Sequence, residues 1–369
     1  MARFIRRVAA ASALAVGLAV AGVSGQQRPQ LLPPPGGTLG LLETYLDALR
    51  QQAGIPGMSA LVLREGSVVW ERGFGFQDLG AHISATPDTP YLVGDLSQTI
   101  ASILLLQCVE QRRLGLDDPL QQFGLTAPEP AATARQLLSH ASNDPSTDGF
   151  LYSPQRYDAL TALMEWCAPQ PYRKSVAHRI LDRLAMTDSV PGTDLLNPAT
   201  KPPDDQFTPD EIEHYRSQLA KLAVPYKLNN GHTDRADVPQ LPMTAANGLV
   251  STVRDLSQLD RALDSRLLLL DDTLQTAWTP AVAPGGDLMP TGLGWFVQFY
   301  RGERVVWHFG YVPNAYSALW LKIPGRHLTF ILLANSDGLS APFDLAQGDV
   351  TRSVFATLFL RIATATPIS

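Results

Sequence analysis

The chain predicts an α+β fold: an antiparallel sheet of five to six strands, flanked by N- and C-terminal helices, with an all-α lobe inserted into it. Strand patterns cluster towards the two ends, helical patterning fills the stretch between them, and an amphipathic helix stands outside each strand group. A chain of 369 residues with 45% hydrophobic and 17% charged residues can bury a core of this size.

Residues 1–25 read as an export signal. Arg3, Arg6 and Arg7 precede the apolar run Val8 to Val23, and small residues follow, so cleavage is expected after Ala21 or Gly25. An uncleaved membrane anchor is the competing reading, and the shortness of the run counts against it. Residues 26–37 carry Pro29, Pro33, Pro34, Pro35, Gly36 and Gly37 and form a stiffened tether.

The domain then runs from 38 to 362, with a sheet core at 38–94 and 280–362, a helical lobe at 95–279 and a tail at 363–369. Thr38 can cap a first helix whose Leu42, Leu46, Leu49 and Ala53 share one face, with Gly54 as its stop. Met58 to Arg64 and Ser67 to Gly73 are β-rich runs joined by Glu65-Gly66, a two-residue hairpin loop. Strand signals return in Gly294 to Tyr300, Arg304 to Phe309, Ala315 to Lys322 and His327 to Leu333. Asp344 to Ile362 closes the domain as a helix through Val350, Val354, Leu358 and Ile362. Inside the lobe, Thr208-Pro209-Asp210-Glu211 marks a helix start, with Pro at the first helical position.

Composition excludes several function classes. Net charge is −6 and the arginines are scattered, which argues against a nucleic-acid partner. After residue 25 no apolar run reaches the roughly 18 residues of a membrane span. His82, His140, His178, His214, His232, His308 and His327 form no His-Glu-x-x-His or Cys/His cluster, so no metal is expected. Gly73-Phe74-Gly75 lacks the third glycine and following helix of a dinucleotide loop, and no cofactor is expected. The mature chain has no Gly-x-Ser-x-Gly nucleophile elbow. Cys108 and Cys167 both lie in helical segments; a disulfide and two buried thiols are both open at this point.

A series of short motifs carries a family resemblance. In order they are Gly57-Met58-Ser59-Ala60, Tyr91-Leu92-Val93-Gly94, Leu114-Gly115-Leu116-Asp117-Asp118-Pro119, Leu137-Leu138-Ser139-His140, Tyr152-Ser153, Gly248-Leu249-Val250-Ser251-Thr252, Gly292-Leu293-Gly294-Trp295 and His308-Phe309-Gly310. Their order and spacing resemble the serine β-lactamase and penicillin-binding protein family, in its class C and esterase-like branch, over roughly Leu42 to Leu360. The resemblance implies the β-lactamase/transpeptidase fold and a cleft for a small-molecule or peptide ligand.

That family works through Ser-x-x-Lys, Tyr-x-Asn and a Lys- or His-x-Gly strand motif. Here the first reads Asp95-Leu96-Ser97-Gln98, with neither a hydroxyl to acylate nor an amine to take its proton. The second reads Tyr152-Ser153-Pro154; Pro154 has no side-chain hydrogen-bonding group. The third, His308-Phe309-Gly310, is whole. None of the five lysines, Lys174, Lys201, Lys221, Lys227 and Lys322, has Ser three residues before it. Ser97 stands two residues from the nucleophile position and, on a helix, roughly 200° away.

Asp95 and Gln98 also read as a capping box for the helix that follows. The resemblance further assigns an oxyanion-binding pair to the amides of Asp95 and Tyr311. The leading expectation is an exported, non-catalytic relative that binds a ligand near Asp95, Tyr152, His308 and Tyr311, or a partner at its surface. The alternative is a serine-independent hydrolase using Asp95, Tyr152 and His308.

Overall fold

Helix α1 (Thr38–Gln52) leads into the hairpin of β1 (Gly57–Arg64) and β2 (Ser67–Asp78), the short strands β3 (Ile83–Ser84) and β4 (Tyr91–Leu92), and helix α2 (Ser97–Glu110). The computed structural model describes residues 37–125, 129, 131–142, 149–197, 206–229, 232–283 and 285–365. The export signal, the tether apart from Gly37, and the last four residues of the tail lie outside the described residues. Glu65 and Gly66 join β1 to β2 with φ of 51° and 73°, the paired left-handed conformations of a tight hairpin turn. Thr38 is the first residue of α1 rather than its cap; Gly37 holds the cap position without a side-chain bond.

The middle of the chain carries α3 (Ala134–Leu138), α4 (Pro154–Tyr157), α5 (Leu160–Cys167), α6 (Tyr172–Val176), β5 (Val190–Pro191), α7 (Pro209–Leu219), β6 (Tyr226–Asn229), β7 (His232–Arg235), β8 (Leu249–Ser251), α8 (Val253–Asp264) and α9 (Asp271–Ala277). The lobe is therefore not all-α. β4, β8 and β5 form a three-stranded sheet and β6 pairs with β7. Strands of two to four residues are too short for a two-residue period to register in sequence. Thr208 does cap α7: its hydroxyl accepts from the Glu211 amide, while the Glu211 carboxylate accepts from the Thr208 amide at 2.7 Å.

The chain returns through β9 (Phe296–Tyr300), β10 (Glu303–Val312), β11 (Tyr316–Ile323), β12 (Leu328–Ala334) and α10 (Val354–Ala365). The main sheet has seven strands in the order β3-β2-β1-β12-β11-β10-β9, one more than expected because the two-residue β3 adds to the edge. β1 and β12 pair antiparallel, Leu61 opposite Ile331, which joins the chain's two ends. The closing helix begins at Val354 rather than Asp344, after a series of 3-10 turns over 337–352. It runs on to Ala365, past the expected 362.

Alternation along the strands separates two cores. Leu61, Val306, Trp320 and Ile331 face the lobe, with Ile100, Leu104 and Leu256. Val62, Trp307, Leu321 and Phe330 face α1 and α10, packing on Leu42, Leu46, Phe355 and Phe359. A buried ion pair docks α8 on the sheet. Lys322 lies 2.5 Å from Asp260, which also accepts from Trp320 Nε1 at 3.0 Å.

Cys108 of α2 and Cys167 of α5 form a disulfide with Cα atoms 6.4 Å apart and 59 residues of separation. It ties the helix that carries Gln98 to the lobe. Closing a loop of that length restricts the unfolded chain, so the Cys108→Ser/Cys167→Ser variant is expected to lose about 2–4 kcal/mol. Urea denaturation of the two proteins measures this; equal midpoints with equal slopes would refute it.

Candidate active site

Tight backbone packing between strand β10 and the 3-10 turn Gly94–Leu96 sets the site. Gly310 has no room for a side chain: a Cβ there would stand 1.9 Å from the carbonyl oxygen of Val93. Gly94, with φ of 57°, packs the same way, 2.8 Å from its notional Cβ to the Tyr311 amide nitrogen. These two glycines let the turn lie directly on the strand. Asp95 and Tyr311, assigned in sequence to one amide pair, are brought together by this contact.

Asp95 is buried, with 7% of its surface exposed, and hydrogen-bonds the Tyr152 hydroxyl. Burial pushes its carboxyl up to about 7, against the smaller opposing effect of the Tyr152 bond. The expected capping box does not form. Neither the 3-10 turn nor α2 has a side-chain cap, and Gln98 turns away from the helix end. Its Nε2 donates to the Tyr152 hydroxyl at 3.3 Å, and its Oε1 lies 2.9 Å from His140 Nε2. His140 Nδ1 accepts from the Ser153 amide at 3.3 Å, so Nε2 carries the proton and donates to Gln98. Tertiary partners outcompeted the local cap.

Tyr152 is half-buried, its ring centroid 4.5 Å from His140, 5.2 Å from Phe309 and 5.6 Å from Phe296. Burial, then the Asp95 charge, raises its phenol well above the ordinary value. Pro154 occupies the first position of α4, where a missing amide hydrogen costs nothing, and Ser153 caps that helix by accepting from Arg156 at 3.2 Å. Pro154 thus builds the turn that presents Tyr152. Ser97 is wholly buried: its hydroxyl donates to the Gly94 carbonyl at 2.8 Å and accepts from the Leu249 amide at 3.2 Å.

His308, on β10, is 1% exposed. Its Nδ1–H donates to the Phe309 carbonyl at 2.7 Å, which leaves Nε2 as the acceptor. Burial lowers its pKa to about 4, outweighing that bond, and the ring is neutral at pH 7. His140 is also held well below its ordinary value, by burial first and then by His308 and Arg156. Sequence reasoning placed His140 only within a motif; the network it completes with Gln98 was not foreseen. The signal available was its place in Leu137-Leu138-Ser139-His140.

Elsewhere the fold gathers His178, Asp182 and Glu211, whose ligating atoms lie within 4.8 Å of one another although their spacing shows no metal motif. Glu211 already serves the α7 capping box and lies 2.9 Å from His178 Nε2, so a hydrogen bond links α7 to the segment that carries His178.

The site's elements combine a hydrogen-bonded chain, Asp95–Tyr152–Gln98–His140, with a strand that presents His308 and Tyr311. The chain as a whole is similar in sequence and fold to known proteins. The chain is 22% identical over 345 residues to Protein flp of Staphylococcus aureus, covering 82% of this chain and 64% of the relative's length. Among solved structures it is similar to the octameric penicillin-binding protein homologue from Pyrococcus abyssi, with a TM-score of 0.68, 22% identity and 88% and 77% of the two chains covered. It is also similar to the D-amino acid amidase from Ochrobactrum anthropi SV3, with a TM-score of 0.64, 18% identity and 88% and 99% covered. The Beta-lactamase family model matches residues 42–350, spanning both strand groups and the lobe between them, and the chain belongs to that family.

Proposed function

We propose that this chain is an exported, non-acylating member of the family whose cleft binds a small-molecule or peptide ligand reversibly. One observation carries the reading: Gln98 stands where the resemblance calls for the activating lysine, and both ends of its amide are spent on Tyr152 and His140. A neutral bridge with its donor and acceptor engaged takes no proton from a nucleophile. The serine nearest the turn, Ser97, is buried with its hydroxyl committed in both directions. Export is supported by the arginine-led apolar run at residues 1–25, and among the described residues no helix is long and apolar enough to cross a membrane.

Intact-mass spectrometry after incubation with a penicillin and with a fluorophosphonate tests the reading. The expected result is an unmodified mass. An adduct mapped to Ser97 or any other serine of the cleft overturns it.

A second reading rests on Asp95 with Tyr152 and His308. A carboxyl titrating at about 7 suits a general base for water, with His308 Nε2 available beside Tyr152. Turnover of a p-nitrophenyl ester or a chromogenic cephalosporin, lost in Asp95→Ala, would establish that reading in place of the first.

A further inference from the structure

Resting on the reading of the cleft as a ligand site, we infer that Asp95 anchors a protonated amine of the ligand. The carboxylate lies at the junction of turn and strand and accepts from the Tyr152 hydroxyl. A carboxylate offers about four lone-pair sites, and one phenol fills one of them. Among the described residues no cation forms an ion pair with Asp95.

The buried cations and histidines of the lobe and the sheet have other partners. Arg156, from α4, is bonded to Glu129 and to the Ala141 carbonyl. Lys322 is held by Asp260 and Asp264. His140 spans Gln98 and Ser153, and His308 is tied to its own strand. A buried carboxylate without a counter-ion is costly. An ammonium group arriving with the ligand supplies both the missing charge and the missing donors.

The surroundings favour the same class. Tyr311, 37% exposed, has its phenol raised by burial, then by Asp337 and by Asp95, and the half-buried Tyr152 presents a second ring beside the carboxylate. Aromatic faces suit a cation and do nothing for an anion. Asp337 adds a further negative charge near Tyr311. A ligand carboxylate would meet repulsion where an ammonium meets attraction.

Three peptides differing in one terminal group isolate the effect: β-alanyl-phenylalaninamide, butanoyl-phenylalaninamide and succinyl-phenylalaninamide present ammonium, methyl and carboxylate at the same place. Calorimetry at pH 8 on the parent is expected to give the ammonium peptide an advantage of about 10- to 100-fold over the methyl peptide, the range of a charged hydrogen bond. The carboxylate peptide should bind weakest. In Asp95→Asn the ammonium advantage should fall towards unity and the carboxylate peptide should gain. Asp95→Ser, the second variant, should lose the ammonium advantage likewise. Equal binding of ammonium and methyl peptides to the parent overturns the amine anchor and leaves the cleft reading standing. Failure of all three to bind overturns both.

Discussion

Replacing Asp95 by Asn is expected to leave stability unchanged at pH 4 and to raise it by up to about 4 kcal/mol at pH 8. The size follows from the carboxyl's rise from 3.8 to about 7 on folding, at 1.36 kcal/mol per pH unit. The sign follows from which state holds the proton. Between these two values the folded protein keeps a proton on Asp95 that the unfolded chain has released, so the contribution of this group falls as pH rises through the window and is level above it. Asn accepts from Tyr152 as the carboxylate does and carries no charge to desolvate. Asp255, raised to about 6 by burial, tilts the parent's curve the same way below that pH. The difference between parent and variant isolates Asp95, since Asp255 is present in both. His308, lowered by burial to about 4, and His140, also lowered by burial, tilt the curve the opposite way below their ordinary value of 6.5, because there the unfolded chain holds the extra proton; both are present in parent and variant, so the difference removes them as it removes Asp255. Urea denaturation at four pH values between 4 and 8 provides the test; a stability difference independent of pH would refute the assignment.

Gly310→Ala is expected to destabilise by about 3 kcal/mol, at the upper end of overpacking effects. The added Cβ would stand 1.9 Å from the Val93 carbonyl oxygen and 2.9 Å from Ala318 Cβ, and neither neighbour is the movable tip of a long side chain. Either β10 or the turn carrying Asp95 must shift, so the variant should also lose the Asp95 pH dependence just described. Gly285→Ala is the control. Nothing lies within 4 Å of its notional Cβ, and its midpoint should stay within experimental error of the parent's or rise slightly. Equal midpoints for Gly310→Ala and the parent would show that turn and strand are not held as described.

Much of the sheet was legible because strands of five residues or more declare their period. Ser67 to Gly73 falls in a strand that is mostly half-buried and Ala315 to Lys322 in one that is buried throughout, and their ends were placed to within a few residues except where β2 runs on to Asp78. Thr208-Pro209-Asp210-Glu211 foretold the start of α7 because Pro at the first helical position is a local signal, and the structure adds the Thr208–Glu211 capping box. Local reasoning failed at Asp95 and Gln98. Those residues have the local pattern of a cap, but Tyr152 and His140 lie 54 and 42 residues further along the chain from Gln98, and their bonds took the Gln98 amide instead.

The sequence by itself determined the α+β architecture and the order of strand groups and lobe, because these depend on local periodicity and on motifs a few residues long. Only the tertiary structure decided that Cys108 and Cys167 are bonded, that β1 meets β12, that His140 completes the Gln98 network, and that Asp95 is buried beside Tyr152 with a carboxyl titrating at about 7. Each of these depends on distances between groups far apart in the chain. Desolvation in particular has no sequence signature, because the atoms that exclude water from Asp95 belong to the turn, the strand and the loop that folding brings around it.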